Sequence, residues 1–435
     1  MTSVLPPRVR AEPPLPVRLL TARGIFYGWA VVFASFVVTF CEMPTFNPVL
    51  TLFLIPMTSE FGWTRSEFSG VVVLSTIGSA LVVPVIGTLI DRYGPRVALV
   101  VGATVLGIEI GALAFTSSIA WFYFWYTVAR IAANGGTGIA NTVVISNWFT
   151  RRRAFAFGII ASAWRLGSWV LPLVLAVTIA AYGWRAAWAL LGIGILALAV
   201  PIPALLTIRR PQDVGLEPEG QPRSGHCHGG PAWSLREAVR TRALWLVAVG
   251  GFCAWFTMAS YNLHLMPYLL DRGFPAEIAV GALAGMGFIS MPATVLIGLL
   301  ADRIGVRPTY LLAFVLATLG ATFILWLAAP WMIAAYAVCY GIAFGSFVTL
   351  QQSIWADYFG RGSLGAIRGV TLPVQLMGNA FGPFLAAVAY DLTGSYDLPF
   401  TAFILALLLG AVTIGLARRP RRPLLQPLAV SQEVA

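Results

Sequence analysis

The chain contains no lysine: its 28 basic residues are all arginine, set against 17 acidic ones for a formal net charge of +11. Charge of either sign is scarce, at 10% of residues, where soluble domains average roughly 25%. Cysteine is rarer still, and the four present, Cys41, Cys227, Cys253 and Cys339, share no paired spacing, which argues against a disulfide framework. No Ser/His/Asp set, metal-ligand cluster or Walker loop appears, so the chain reads as neither an enzyme nor an ATP-driven pump, and no cofactor or metal is expected. The single metal-like run, His226-Cys227-His228, lies in a Gly/Pro-rich stretch without further ligands and reads as a loop.

What the chain has in abundance is apolar surface, with 58% hydrophobic residues and a mean hydropathy of +0.82. Most apolar stretches run about 18 to 28 residues, enough to cross a hydrocarbon layer of about 30 Å as a helix. Twelve spans are predicted, near 27–55, 68–90, 97–117, 120–147, 155–179 and 187–207 in the first half, and 243–270, 277–300, 308–328, 331–357, 366–390 and 398–416 in the second. The first is too long for one straight crossing, and Pro44 and Pro48 predict that it bends.

Arginine placement sets the orientation. With the N-terminus in the cytoplasm, 23 of the 28 arginines, Arg361 and Arg368 among them, fall on the cytoplasmic side, while Arg65, Arg185 and Arg272 fall outside, as the positive-inside rule requires. The positive excess therefore reads as topology with some anionic-lipid contact, and nucleic acid is not an expected partner. Residues 1–26 read as a cytoplasmic tail with no cleaved signal. Two six-helix bundles, 27–207 and 243–416, are joined by a cytoplasmic linker, 208–242, and residues 417–435 form a second cytoplasmic tail. The expected fold is thus an all-α membrane protein of two pseudo-symmetric bundles, monomeric, in a bacterial cytoplasmic membrane.

A duplication underlies the two halves. The turn Gly87-Thr-Leu-Ile-Asp-Arg-Tyr-Gly-Pro-Arg96 returns as Gly298-Leu-Leu-Ala-Asp-Arg-Ile-Gly-Val-Arg307, 211 residues later, and parallel repeats of that kind are a transporter architecture. Gly94 and Gly305 suit a tight turn. Asp91 and Asp302 sit at a helix end, where a carboxylate pairs with Arg92 or Arg303 or accepts N–H bonds from a neighbouring helix N-terminus.

The paired G-x-L-x-D-R-x-G-x-R turns resemble the signature loop of the major facilitator superfamily. Trp148-Phe-Thr-Arg-Arg-Arg-Ala-Phe-Ala-Phe-Gly158 and Asp357-Tyr-Phe-Gly-Arg361 are similar to further family motifs, and the resemblance covers about residues 26–417. Tyr27-Gly28-Trp29, Phe61-Gly-Trp-Thr-Arg65 and His264-Leu-Met-Pro-Tyr-Leu-Leu-Asp-Arg-Gly273 resemble the monocarboxylate and oxalate/formate branch. That resemblance implies secondary transport of a small organic anion by rocker-switch alternating access, coupled to protons. It also implies a gate that latches the cytoplasmic side, formed by Asp91, Arg92 and Arg96 with their repeats Asp302, Arg303 and Arg307. Span 8 lacks the basic residue common in the branch, so a cation for the anion must come from elsewhere. A drug/proton antiporter and a non-transporting sensor are the alternatives; span 5 lacks the GxxxGPxxGG run of the antiporters.

Ionisable groups within spans cost several kcal/mol and mark candidate sites. Arg165 lies near the middle of span 5, placed either to hold a substrate carboxylate or to pair with Glu42. Arg130, Asn134, Thr137 and Asn141, at i, i+4, i+7 and i+11, form one polar face of span 4, lining the path or packing on a neighbour. Glu42 and His264 are the proton-coupling candidates, each with a structural role as its rival, and Glu109 fits an interhelical contact. Tyr340 and Gln351 of span 10, and Gln375 and Asn379 of span 11, are the neutral groups of the expected site.

Overall fold

The computed structural model describes residues 15–219 and 233–420. Arg8, Arg10, Arg223, Arg421, Arg422 and the His226–His228 run lie outside them. The helices are α1 (Leu15–Ala22), α2 (Gly28–Cys41), α3 (Asn47–Phe61), α4 (Arg65–Tyr93), α5 (Pro95–Ala112), α6 (Ile119–Ile131), α7 (Ile139–Trp148), α8 (Arg153–Leu198) and α9 (Pro201–Leu206). After the linker come α10 (Leu235–Val239), α11 (Arg242–Asp271), α12 (Ala276–Ile304), α13 (Val306–Leu325), α14 (Trp331–Phe359), α15 (Leu364–Thr393) and α16 (Asp397–Leu416).

Among the described residues, ten segments are helical, long and apolar enough to cross a membrane. The longest, Arg153–Leu206, has 54 residues and turns back at Gly183 (φ 80°, ψ 168°), giving two crossings. Another crossing consists of α6 and α7, 13 and 10 residues long, separated by a π-helical turn over Ala132–Gly138. The twelve crossings are therefore present, and two escape a simple length criterion because of a sharp fold and a register change. Large apolar side chains cover the outer surface: Leu81, Leu173, Val177 and Leu405 are each more than 60% exposed. Lipid is the only solvent in which that surface is stable.

The repeated turns have matching backbones. Gly94 (φ 93°, ψ 156°) ends α4 and Gly305 (φ 98°, ψ 151°) ends α12, a region open mainly to glycine. Arg96 Nη2 donates to Ala204 O at 2.7 Å, and Arg307 Nε donates to Ile414 O at 3.2 Å. Each of these arginines thus holds carbonyls at the end of the last helix of its own half, favoured by the helix dipole. Arg92 and Arg303 are exposed.

The carboxylates cross between halves. Asp91 accepts from the amides of Gly365 and Ala366 at 3.0 and 2.8 Å, opening α15; Asp302 accepts from those of Ala154 and Phe155, both at 2.9 Å, opening α8. Neither aspartate pairs with the arginine that follows it. Gly87 and Gly298, one turn before each aspartate, make this approach possible, since a Cβ at either would clash with the carbonyl of Gly365 or Ala154. Arg153 Nη1 adds an ion pair to Asp357 Oδ1 at 2.8 Å, and Arg361 donates to Asn147 O at 3.0 Å and Thr150 Oγ1 at 2.9 Å. Burial, then the charge of Arg153, push the Arg361 guanidinium down to about 10, so it remains a cation at neutral pH. At the opposite end, Arg185 pairs with Glu60 and Arg272 with Asp397, each within its own half.

This latched end gives a direct expectation. Gly87→Val and Gly298→Val should each separate the halves there by several ångströms, read as a longer distance between spin labels at Tyr93 and Ile304. Substitution of exposed Gly281, whose Cβ meets nothing within 4 Å, should leave that distance unchanged.

Candidate functional site

The first crossing breaks where Met43-Pro44-Thr45-Phe46 interrupts the apolar run. Pro44 has no N–H to continue α2, a 3-10 turn spans Met43–Thr45, and Phe46 is extended (φ −116°, ψ 156°) before α3 begins. A break inside lipid frees carbonyls that must find donors within the protein. Thr45 O receives the Tyr126 hydroxyl at 2.8 Å and Arg130 Nη1, while Thr45 Oγ1 donates to Glu42 O at 2.8 Å. Arg130 is therefore a cap for the broken helix, with its guanidinium 5.2 Å from the Phe46 ring centroid.

Glu42, at the break, is buried, and Oε1 accepts from the Thr137 hydroxyl. Asn141 Nδ2 donates to Thr39 Oγ1 at 3.2 Å. Asn134 leaves this group and donates to Ser79 Oγ on α4 at 3.3 Å. The four-residue spacing placed all four polar groups on one face, but the intervening π turn advances fewer degrees per residue than an α-helix. Arg130, Thr137 and Asn141 consequently meet the first crossing and Asn134 meets the second.

Arg165 is 6% exposed, eleven residues beyond the Ala154 amide that binds Asp302. Nη2 donates to Phe344 O of α14 at 3.2 Å, and the guanidinium lies 3.9 Å from the Phe344 ring centroid and 5.0 Å from that of Trp164. Trp164 packs edge-on against Phe46 at 5.8 Å, so aromatic rings connect the two buried arginines. Neither Arg165 nor Glu42 belongs to an ion pair among the described residues. Cation–π contacts contribute about 0.5–2 kcal/mol each, which does not replace a counter-charge.

In the second half, His264 faces Pro383 O through Nε2 at 2.9 Å and the Tyr396 hydroxyl through Nδ1 at 3.3 Å. Both ring nitrogens are thus engaged, one by a carbonyl that only accepts and the other by a hydroxyl that can donate or accept. Tyr340 packs 4.9 Å from Tyr261, and the Tyr310 hydroxyl donates to Gln351 Oε1. Gln375 is buried with Nε2 unpartnered, and Asn379 is half-buried. Glu109 is buried with Oε2 unpartnered. Arg368, counted with the cytoplasmic flank, instead lies four residues inside α15 and is only 6% exposed. Its position within predicted span 11 was the signal that it belonged with the interior charges.

A duplicated twelve-crossing helical bundle, broken in its first crossing and carrying buried unpaired arginines, defines a membrane transporter. The sequence profile of the Major Facilitator Superfamily matches residues 28–371 and 282–433; the chain belongs to this family. It is 24% identical over 404 residues to monocarboxylate transporter 12-B of Danio rerio (86% of this chain, 83% of the relative). It is also 23% identical over 395 residues to the uncharacterized MFS-type transporter YcxA of Bacillus subtilis (88% and 93%). A bacterial homologue of the iron transporter ferroportin, solved in its outward-facing state, superposes with a TM-score of 0.70 at 15% identity, covering 90% of this chain and 99% of that one. Members of this family are transporters, so the expectation that the chain is not an enzyme holds.

The cap at the break can be tested. Arg130→Met leaves Thr45 O with one donor and should cost about 1–3 kcal/mol, seen as a lower Tm in detergent. Asn134→Ala, which removes only a long amide–hydroxyl contact, should shift Tm less.

Proposed function

We propose that this transporter carries a small organic anion whose carboxylate docks on Arg165. One observation carries this: Arg165 is buried and, among the described residues, has one hydrogen bond, to Phe344 O, and no ion pair. In a low-dielectric interior such a group is completed by an anion, and guanidinium offers a carboxylate two parallel N–H donors. Arg165 also lies between α8 and α14, one from each half, so an anion bound there contacts both moving parts. The kinship with proteins named monocarboxylate transporters supports a monocarboxylate-like substrate.

Glu42 is the proton-coupling group of this proposal. Its carboxylate has a neutral donor, Thr137, and no ion pair among the described residues, an arrangement that tolerates both protonation states and sits on the broken helix beside the site. His264, engaged on both ring nitrogens, acts as a positioning contact between α11 and α15. The site-lining role of Gln375 and Asn379 belongs to the same proposal. The arginine-rich latched end faces the cytoplasm, as do both termini, and the bundles 27–207 and 243–416 rock about the site when the Asp91 and Asp302 contacts release.

The test is uptake of radiolabelled pyruvate, benzoate and oxalate into proteoliposomes under an imposed pH gradient. At least one acid should accumulate, and Arg165→Gln should reduce its initial rate at least about 10-fold. No uptake of any of the three, or full uptake by Arg165→Gln, overturns the anion reading. In the same assay Glu42→Gln should abolish accumulation driven by pH while preserving exchange of internal for external substrate; unchanged accumulation removes Glu42 from proton coupling.

A further inference from the structure

The latch contacts align the two halves residue by residue. Asp302 binds the amides of 154 and 155 and Asp91 those of 365 and 366, so α8 and α15 are counterparts with 154 matching 365. In that register Gly158 matches Gly369, and each is pressed against backbone of the opposite half, at Thr294 and Pro84 respectively. Arg165 then matches Leu376, and Arg368 matches Phe157. Beyond Arg153 at the start of α8, each counterpart helix carries one buried arginine, Arg165 and Arg368; Arg368 lies eight residues closer to the latched end, about 12 Å at 1.5 Å per residue.

The surroundings of Arg368 offer donors in excess. Its Nε and Nη1 have no hydrogen-bond partner. The neighbouring group on which its charge acts is Tyr310, whose hydroxyl is spent on Gln351 Oε1, leaving Gln351 Nε2 unpartnered as well. No carboxylate pairs with Arg368 among the described residues. Idle buried N–H groups carry a desolvation penalty, larger when charged, which an arriving acceptor would relieve.

We propose that Arg368 and Gln351 form a second carboxylate-binding station, occupied by the transported anion after it leaves Arg165 and the latched end opens. This rests on the anion reading of Arg165. The stagger gives the substrate a cation at two depths, one on each half, so release toward the latched end proceeds in two shorter steps. It also accounts for donors left idle here, where the latch is closed.

The experiment measures transport KM separately at the two faces, using right-side-out and inside-out vesicles and whichever of pyruvate, benzoate and oxalate is carried. Arg368→Gln should raise KM at the latched face at least about 10-fold and leave it within about 2-fold at the other face. Gln351→Leu should shift it the same way by about 3-fold, and Arg165→Gln should raise KM at both faces. Equal shifts at both faces for Arg368→Gln, or no shift at either, overturn the second station while leaving the Arg165 site intact. A failure of Arg165→Gln to alter either KM overturns the anion reading itself. Should gel filtration show Arg368→Gln aggregated, Arg368→Lys replaces it, with a smaller KM rise expected at the latched face alone; its absence is equally fatal.

Discussion

A carboxylate aimed at the open N-terminus of a helix is the interaction on which this arrangement depends. Asp91 and Asp302 each accept two amides from the opposite half, and the favourable dipole there adds about 0.3–1 kcal/mol or more. Because the acceptor is a side chain and the donors are backbone, the contact is made by hydrogen bonds to amides, with Arg209 and Arg153 acting only as nearby charges. The glycine one turn earlier sets the distance, and the arginine five residues later fastens the turn to its own half. The ten-residue repeat is therefore one mechanical unit: an approach, a grip and an anchor.

Deeper in the membrane the constraint changes. Lipid supplies neither hydrogen bonds nor counter-ions, so the broken first crossing must be satisfied internally. Tyr126 and Arg130 do this at Thr45 O. Arg130 and Arg165 each give a donor to backbone, while Nε and Nη1 of Arg368 have no hydrogen-bond partner. With no lysine in the chain, the cationic side chains inside the spans are guanidinium groups, each presenting a planar fork of donors.

Much of this was legible in the sequence, for identifiable reasons. The twelve crossings followed from apolar run length, the break from Pro44, and the importance of Asp91 and Asp302 from a motif that occurs twice. The partners of Asp91 and Asp302 could not be read, because an amide N–H carries no side-chain signature; any helix start would have served. Asn134 parted from Arg130 and Thr137 because a π turn leaves no mark that four-residue spacing can detect. Arg368 was misplaced because an arginine four residues into a helix looks like a flanking charge until the neighbouring helices enclose it.

The π turn of the fourth crossing has a mechanical meaning of its own. Thr137, within it, holds Glu42; ten residues on, Asn147 presents the carbonyl that Arg361 grips. The turn therefore fixes the angular phase between the carboxylate and the Arg361 contact, as a keyed coupling does between two lengths of shaft. One residue fewer would turn α7 by about 100° and point the Asn147 carbonyl away from Arg361, while the sequence on either side remained intact.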